Sequence, residues 1–123
     1  MNTLPKLTAL CFLLLFTIGA NAKSNFDIIA ELDSGPGNVT VTDSGRIILS
    51  LHQFYKAKYT VVEYKNNELT PFPNKELADV DSKATLKLDS VLGIRSANGI
   101  VWMLDNGMRS RVTPKLVGWD IDA

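Results

Sequence analysis

Cysteine and histidine are almost missing from this chain of 123 residues, with one of each. The lone cysteine, Cys11, lies in an apolar run near the N-terminus. Residues 1–6 carry one positive charge, residues 7–18 (LTALCFLLLFTI) are apolar, and residues 19–22 (GANA) end in an A-x-A site. These are the three parts of a secretory signal peptide in order. A run of a dozen apolar residues is too short to span a bilayer, which takes roughly 20. Cleavage after Ala22 removes Cys11, so the mature chain from residue 23 has no disulfide, thiolate metal site or cysteine nucleophile. An exported domain without disulfides depends on its own core. The product is expected outside the cytoplasm, extracellular or periplasmic, with no membrane association after cleavage. Excess charge of either sign is absent too, with 13 basic and 13 acidic residues in the full chain. That leaves no electrostatic footprint for nucleic acid.

Sustained helical periodicity is the next absence. Turn signals recur at intervals of roughly ten residues between short runs of β-branched and apolar residues. Strands are expected at residues 26–32 (FDIIAEL), 38–42 (NVTVT), 46–51 (RIILSL), 59–64 (YTVVEY) and 68–70. Asp43-Ser44-Gly45 and Asn66-Asn67 supply turns. Residues 71–89 are irregular, because Pro71 and Pro73 bar a continuous strand or helix; residues 75–80 allow one helical turn. Strands resume at 91–95, 100–104 and 115–119, with the hairpin pair Asn98-Gly99 between the first two. The class is all-β and antiparallel.

The second half repeats the first. Gly45 falls on Gly99, Ile47-Ile48-Leu49 on Val101-Trp102-Met103, Val61-Val62 on Leu116-Val117, and Tyr64 on Trp119. Repeats of this length containing short antiparallel strands are a signature of β-propeller blades, which must stack to bury both faces. Residues 36–70 form a first blade and residues 88–123 a second, truncated one. Propellers have at least four blades, so the expectation is the N-terminal piece of a longer ring.

The segments PGNVTV…GRIILSLH (residues 36–52), PFPN (71–74), GIVWMLDNG (99–107) and PKLVGWDI (114–121) resemble the major royal jelly protein/Yellow family, in its bacterial dopachrome-tautomerase-related form. The resemblance implies a secreted six-bladed β-propeller, a superfold shared with gluconolactonase-like proteins. It also implies a ligand cavity at the mouth of the central channel, and a monomer when full length.

Blade topology puts the tight turns at residues 43–45 and 96–99 on one end of the sheets. The opposite end receives Asn38, the loop from His52, Asp89-Ser90 and the loop from Asp105-Asn106, where a ligand is expected. Asp105 and Asn106 offer oxygen to hydroxyls, amines or a hard cation such as Ca²⁺, or bond backbone N–H groups before Gly107. Asn38 either points into the channel or caps the turn after Gly37. It also opens a glycosylation sequon, Asn38-Val39-Thr40, at a strand start that makes a poor acceptor. His52, with no second histidine, disfavours zinc; it and Asp105 are the candidates for proton transfer. Trp102, Trp119, Tyr59 and Tyr64 read as packing residues, and Arg109 and Arg111 as part of a solvated loop. Gluconolactonase-like relatives carry a metal-binding glutamate just before the first inner strand. Here Gly35-Pro36-Gly37-Asn38 has no carboxylate, so no metal ligand is assigned. The leading function is binding of a small aromatic or amine ligand. The alternative is an enzyme, a dopachrome-type tautomerase or a metal-dependent lactone hydrolase.

Overall fold

A computed structural model of the chain describes residues 25–122. The segment read as a signal peptide, residues 1–22, lies outside the described residues. The fold is all-β, in two antiparallel sheets. The first contains β1 (Pro36–Val41), β2 (Ile47–Leu51), β3 (Val61–Lys65) and β4 (Glu68–Pro71) side by side. The second contains β5 (Val91–Ala97), β6 (Ile100–Asp105) and β7 (Lys115–Asp120). Turn chemistry sets the hairpins. Asn66 and Asn67 (φ 52° and 62°) and Asn98 and Gly99 (φ 53° and 75°) place both central residues in the left-handed region, the twist that two-residue hairpins require. One helical turn, α1 (Lys75–Ala78), is capped by Asn74, whose Oδ1 accepts the Leu77 N–H at 2.9 Å.

The repeat extends to strand register. Ile47 lies opposite Tyr64 and Leu49 opposite Val62; Val101 lies opposite Trp119 and Met103 opposite Val117. Both sheets also carry a β-bulge at the same place. The β1–β2 register slips between Pro36 and Asn38, with Pro36 facing Leu51. The β5–β6 register slips between Val91 and Gly93, with Val91 facing Asp105. Leu51 and Asp105 are therefore equivalent positions.

Because side chains alternate across a strand, β2 sends Ile48 and Ser50 to one face and Ile47, Leu49 and Leu51 to the other. The Ile48 face, with Val61, meets Val91, Ile94, Val101 and Met103 of the second sheet in one buried cluster. The sheets thus stack unlike face on unlike face. The first uses the side bearing Ile48, and the second uses the side equivalent to Leu49. Phe72 and Leu88, from the segment joining the sheets, are buried in the same layer. Polar contacts add to it: Ser96 N donates to Thr40 Oγ1 at 2.8 Å. Arg46 grips Glu63 through Nε (2.9 Å) and Nη2 (2.7 Å), lies 5.6 Å from the Phe72 ring, and reaches Ile121 O at 3.4 Å.

One expected strand is not formed. Residues 26–32 belong to neither sheet. They cross the outer face of the first sheet, where Leu32 packs on Leu49, Leu51 and Val62, and Ile29 O accepts the Tyr64 hydroxyl at 2.9 Å. Among the described residues no helix is long and apolar enough to cross a membrane.

The shared layer makes a sharp prediction about position. Ile48, fully buried, should cost about 3 kcal/mol when changed to Ala. Val39, 54 % exposed on the other side of the same sheet, should cost under about 1 kcal/mol. Urea unfolding of the two variants measures the difference.

Candidate functional site

The sheet end at which β2 and β6 finish and β1 and β5 begin gathers the residues singled out in the sequence. His52 and Asn106 follow the equivalent positions Leu51 and Asp105, so the repeat places them alike. His52 N donates to Gly35 O at 2.9 Å. Its Nδ1 accepts the Phe54 N–H at 3.3 Å, capping a 3-10 turn at Gln53–Tyr55. The ring meets that of Phe54 edge-on, with centroids 4.5 Å apart. Asn106 N donates to Ser90 O at 2.9 Å, and Asn106 Oδ1 accepts Met108 N–H at 3.0 Å. Asn38 is exposed on β1 opposite Ser50 and borders an apolar groove of about 450 Å³.

Asp105 holds this end together. It is wholly buried, and both carboxylate oxygens are fully engaged. Oδ1 accepts Ser90 N–H at 2.8 Å and Gly107 N–H at 3.0 Å; Oδ2 accepts Asp89 N–H and the Lys115 ammonium, each at 2.7 Å. A carboxylate has about four acceptor positions, and these four donors fill them. Burial pushes the carboxyl up, but Lys115 and the three backbone amides outweigh it and hold the group below the ordinary aspartate range. Asp105 therefore stays ionised, ties the connection at residues 89–90 to the end of β6, and starts the loop at residues 106–114.

That loop is more inward than the sequence suggests. Arg109, read as solvated, turns in and donates through Nη1 to Ala57 O at 3.0 Å, bridging the loops of the two sheets. Ser110 N donates to Asp89 Oδ2 at 2.9 Å, and Gln53 Oε1 accepts the Ser90 hydroxyl. Arg109 Nε and Nη2, Asp89 Oδ1 and Ser50 Oγ are buried without a hydrogen-bond partner. Gly107 has a left-handed φ of 68°, and a Cβ there would lie 2.1 Å from Val112 O, so only glycine fits.

The structure brings Asp105 and Asn106 together with Asp89, Ser90 and Lys115, and joins the His52 turn to them through Gln53 and Ser90. Among the described residues no hydrogen bond links Asn38 or His52 to Asp105. None of their His, Cys, Asp and Glu side chains form a group of three or more suited to a metal ion. Sequence reasoning placed Asp89 and Ser90 at this end but missed their bonds to Asp105, and it missed Lys115 and the inward turn of Arg109. The only signal was Lys115, which lies across the β6–β7 ladder from Asp105 once that register is drawn. A search against protein-family models returns no match for this chain, and a search of curated proteins returns none.

Two outcomes follow from this geometry. A carboxyl whose folded value lies below its unfolded one stabilises the fold above the unfolded value and loses that contribution as pH falls towards the folded one. In acid titrations followed by circular dichroism, the wild-type chain should lose more stability than Asp105→Asn below about pH 4. The gap between the two should be constant above about pH 5. Gly107→Ala should cost at least about 2 kcal/mol in denaturant unfolding, from the clash with Val112 O and the left-handed backbone together.

Proposed function

We propose that the two sheets are consecutive blades of a six-bladed β-propeller of the major royal jelly protein/Yellow type, exported, and binding a small aromatic or amine ligand at the mouth of its channel. The observation that carries this reading is a repeat conserved down to strand register and bulge position, with the sheets stacked unlike face on unlike face. Stacking of that polarity can be continued from sheet to sheet, as a propeller requires. The charge, apolar run and A-x-A pattern of residues 1–22 support export.

Within this reading the ligand sits at the His52–Asn106 end. Asn38, His52 and Asn106 supply hydrogen bonds, and Asp105 acts as the scaffold beneath them. The enzyme reading, tautomerase or lactone hydrolase, loses Asp105 as a proton acceptor because its lone pairs are occupied and its carboxyl is held low. It would rest on His52 alone.

Calorimetry of the exported protein against aromatic amines and catecholamines tests the proposal. Saturable binding is expected, weakened about tenfold by Asn38→Ala or by His52→Asn, which keeps the cap; that corresponds to one lost hydrogen bond. Absence of binding to every compound would count against it. Turnover of dopachrome or a lactone, abolished by His52→Asn, would establish the enzyme instead.

A further inference from the structure

Two Asn-Gly pairs stand at opposite ends of strand β6, and the fold treats them differently. Asn98-Gly99 is the two-residue turn between β5 and β6, and Asn106-Gly107 opens the loop after β6. Asn98 is exposed, and a Cβ on Gly99 would meet nothing within 4 Å. Among the described residues no hydrogen bond engages the Asn98 carboxamide or the Gly99 N–H. At the other pair the same groups are held. Gly107 is buried and its N–H donates to Asp105 Oδ1 at 3.0 Å, while Asn106 Oδ1 accepts the Met108 N–H at 3.0 Å. Gly107 O accepts the Val112 N–H at 3.0 Å, which closes the loop around the pair.

We propose that Asn98 is a site of spontaneous deamidation in the folded protein, and that the Asp105 network protects Asn106 from the same reaction. The Gly99 nitrogen gives its proton to solvent base and attacks Asn98 Cγ. A new N–Cγ bond forms, the Cγ–Nδ2 bond breaks, and Nδ2 leaves as ammonia with a proton from water. Water then reopens the resulting five-membered imide at either carbonyl, leaving aspartate or isoaspartate. The absence of a side chain on the following residue is what exposes this nitrogen. The other two-residue turn, Asn66-Asn67, lacks that opening, because Asn67 carries a carboxamide bonded to the Tyr64 hydroxyl at 2.8 Å. At Asn106 the attacking nitrogen is tied to a buried, ionised carboxylate, and that bond must break first. Isoaspartate routes the main chain through Cβ and so lengthens a turn whose length sets strand register. The β5–β6 register puts Val91 opposite Asp105, so a change at the turn is carried to the far end of the sheet. The proposal rests on these hydrogen bonds and on the hairpin, and the ligand reading plays no part in it.

The exported protein, aged in mildly alkaline buffer and mapped by peptide mass spectrometry, provides the test. Asn98 should convert at least about tenfold faster than Asn106, the factor that one hydrogen bond to an ionised acceptor supplies. In urea, where neither pair is held, the two rates should be alike. Deamidation adds a negative charge, so ion exchange separates the aged forms, and the isoaspartate fraction should melt below the unaged protein. Asn98→Asp keeps the ordinary backbone in a turn that accepts aspartate, and it should melt with the wild type. Three results would overturn the proposal. One is a folded protein in which Asn98 stays intact or leads Asn106 by less than that factor. The second is a difference between the two pairs that persists in urea, which would assign it to local sequence and not to Asp105. The third is an isoaspartate fraction as stable as the unaged protein.

Discussion

One apolar layer, shared between two sheets, is what the rest of this structure depends on. Neither sheet can bury both its faces alone, and a three- or four-stranded sheet gains stability only when one face is covered. Ile48 and Val61 cover Val91, Ile94, Val101 and Met103, and the same six residues cover each other in return. The segment joining the sheets is irregular in outline but takes part in this layer through Phe72 and Leu88. β4 takes in Pro71 but ends there, and Pro73 follows within two residues; beyond it the segment contributes packing in place of ladder hydrogen bonds.

Geometry at the sheet end is inherited from that layer. Val91 and Asp105 face each other across the bulge, so fixing β5 against the first sheet also fixes the carboxylate that binds the amides of Asp89, Ser90 and Gly107. Lys115 balances its charge, which a buried carboxylate requires. The loops at this end rest on a hydrogen-bonded base, with exposed Asn38 and half-buried His52 and Asn106 beside it.

Much of this was legible in the sequence, for identifiable reasons. Seven strand positions and the hairpins at Asn66-Asn67 and Asn98-Gly99 followed from alternation and turn chemistry, which are local. Residues 26–32 have a strand's composition, yet no ladder takes them in. Pairing is a long-range matter, and the Tyr64 hydroxyl with Leu49 and Leu51 draws the segment across a face instead. The Asp105 network was half visible: an Asp-Asn-Gly loop start implies backbone bonding, but amide donors carry no side-chain identity and leave no pattern to read. Arg46 immediately precedes β2 and Glu63 lies in β3, opposite Ile48, and only the β2–β3 register brings the two side chains together.

Leu51 and Asp105 hold the same place in the two repeats, one hydrocarbon and the other ionised. The first repeat closes its end with leucine, while the second does so with a charge and four donors that have no counterpart upstream. The halves have therefore ceased to be interchangeable modules. Grafting the β2 sequence into β6 would deliver a methyl-tipped side chain to a nest of amides built around an anion, whereas the reverse graft would strand a carboxylate among aliphatic neighbours. Whatever symmetry this architecture began with, its two copies now obey different chemistry at the one position where each strand meets its loop.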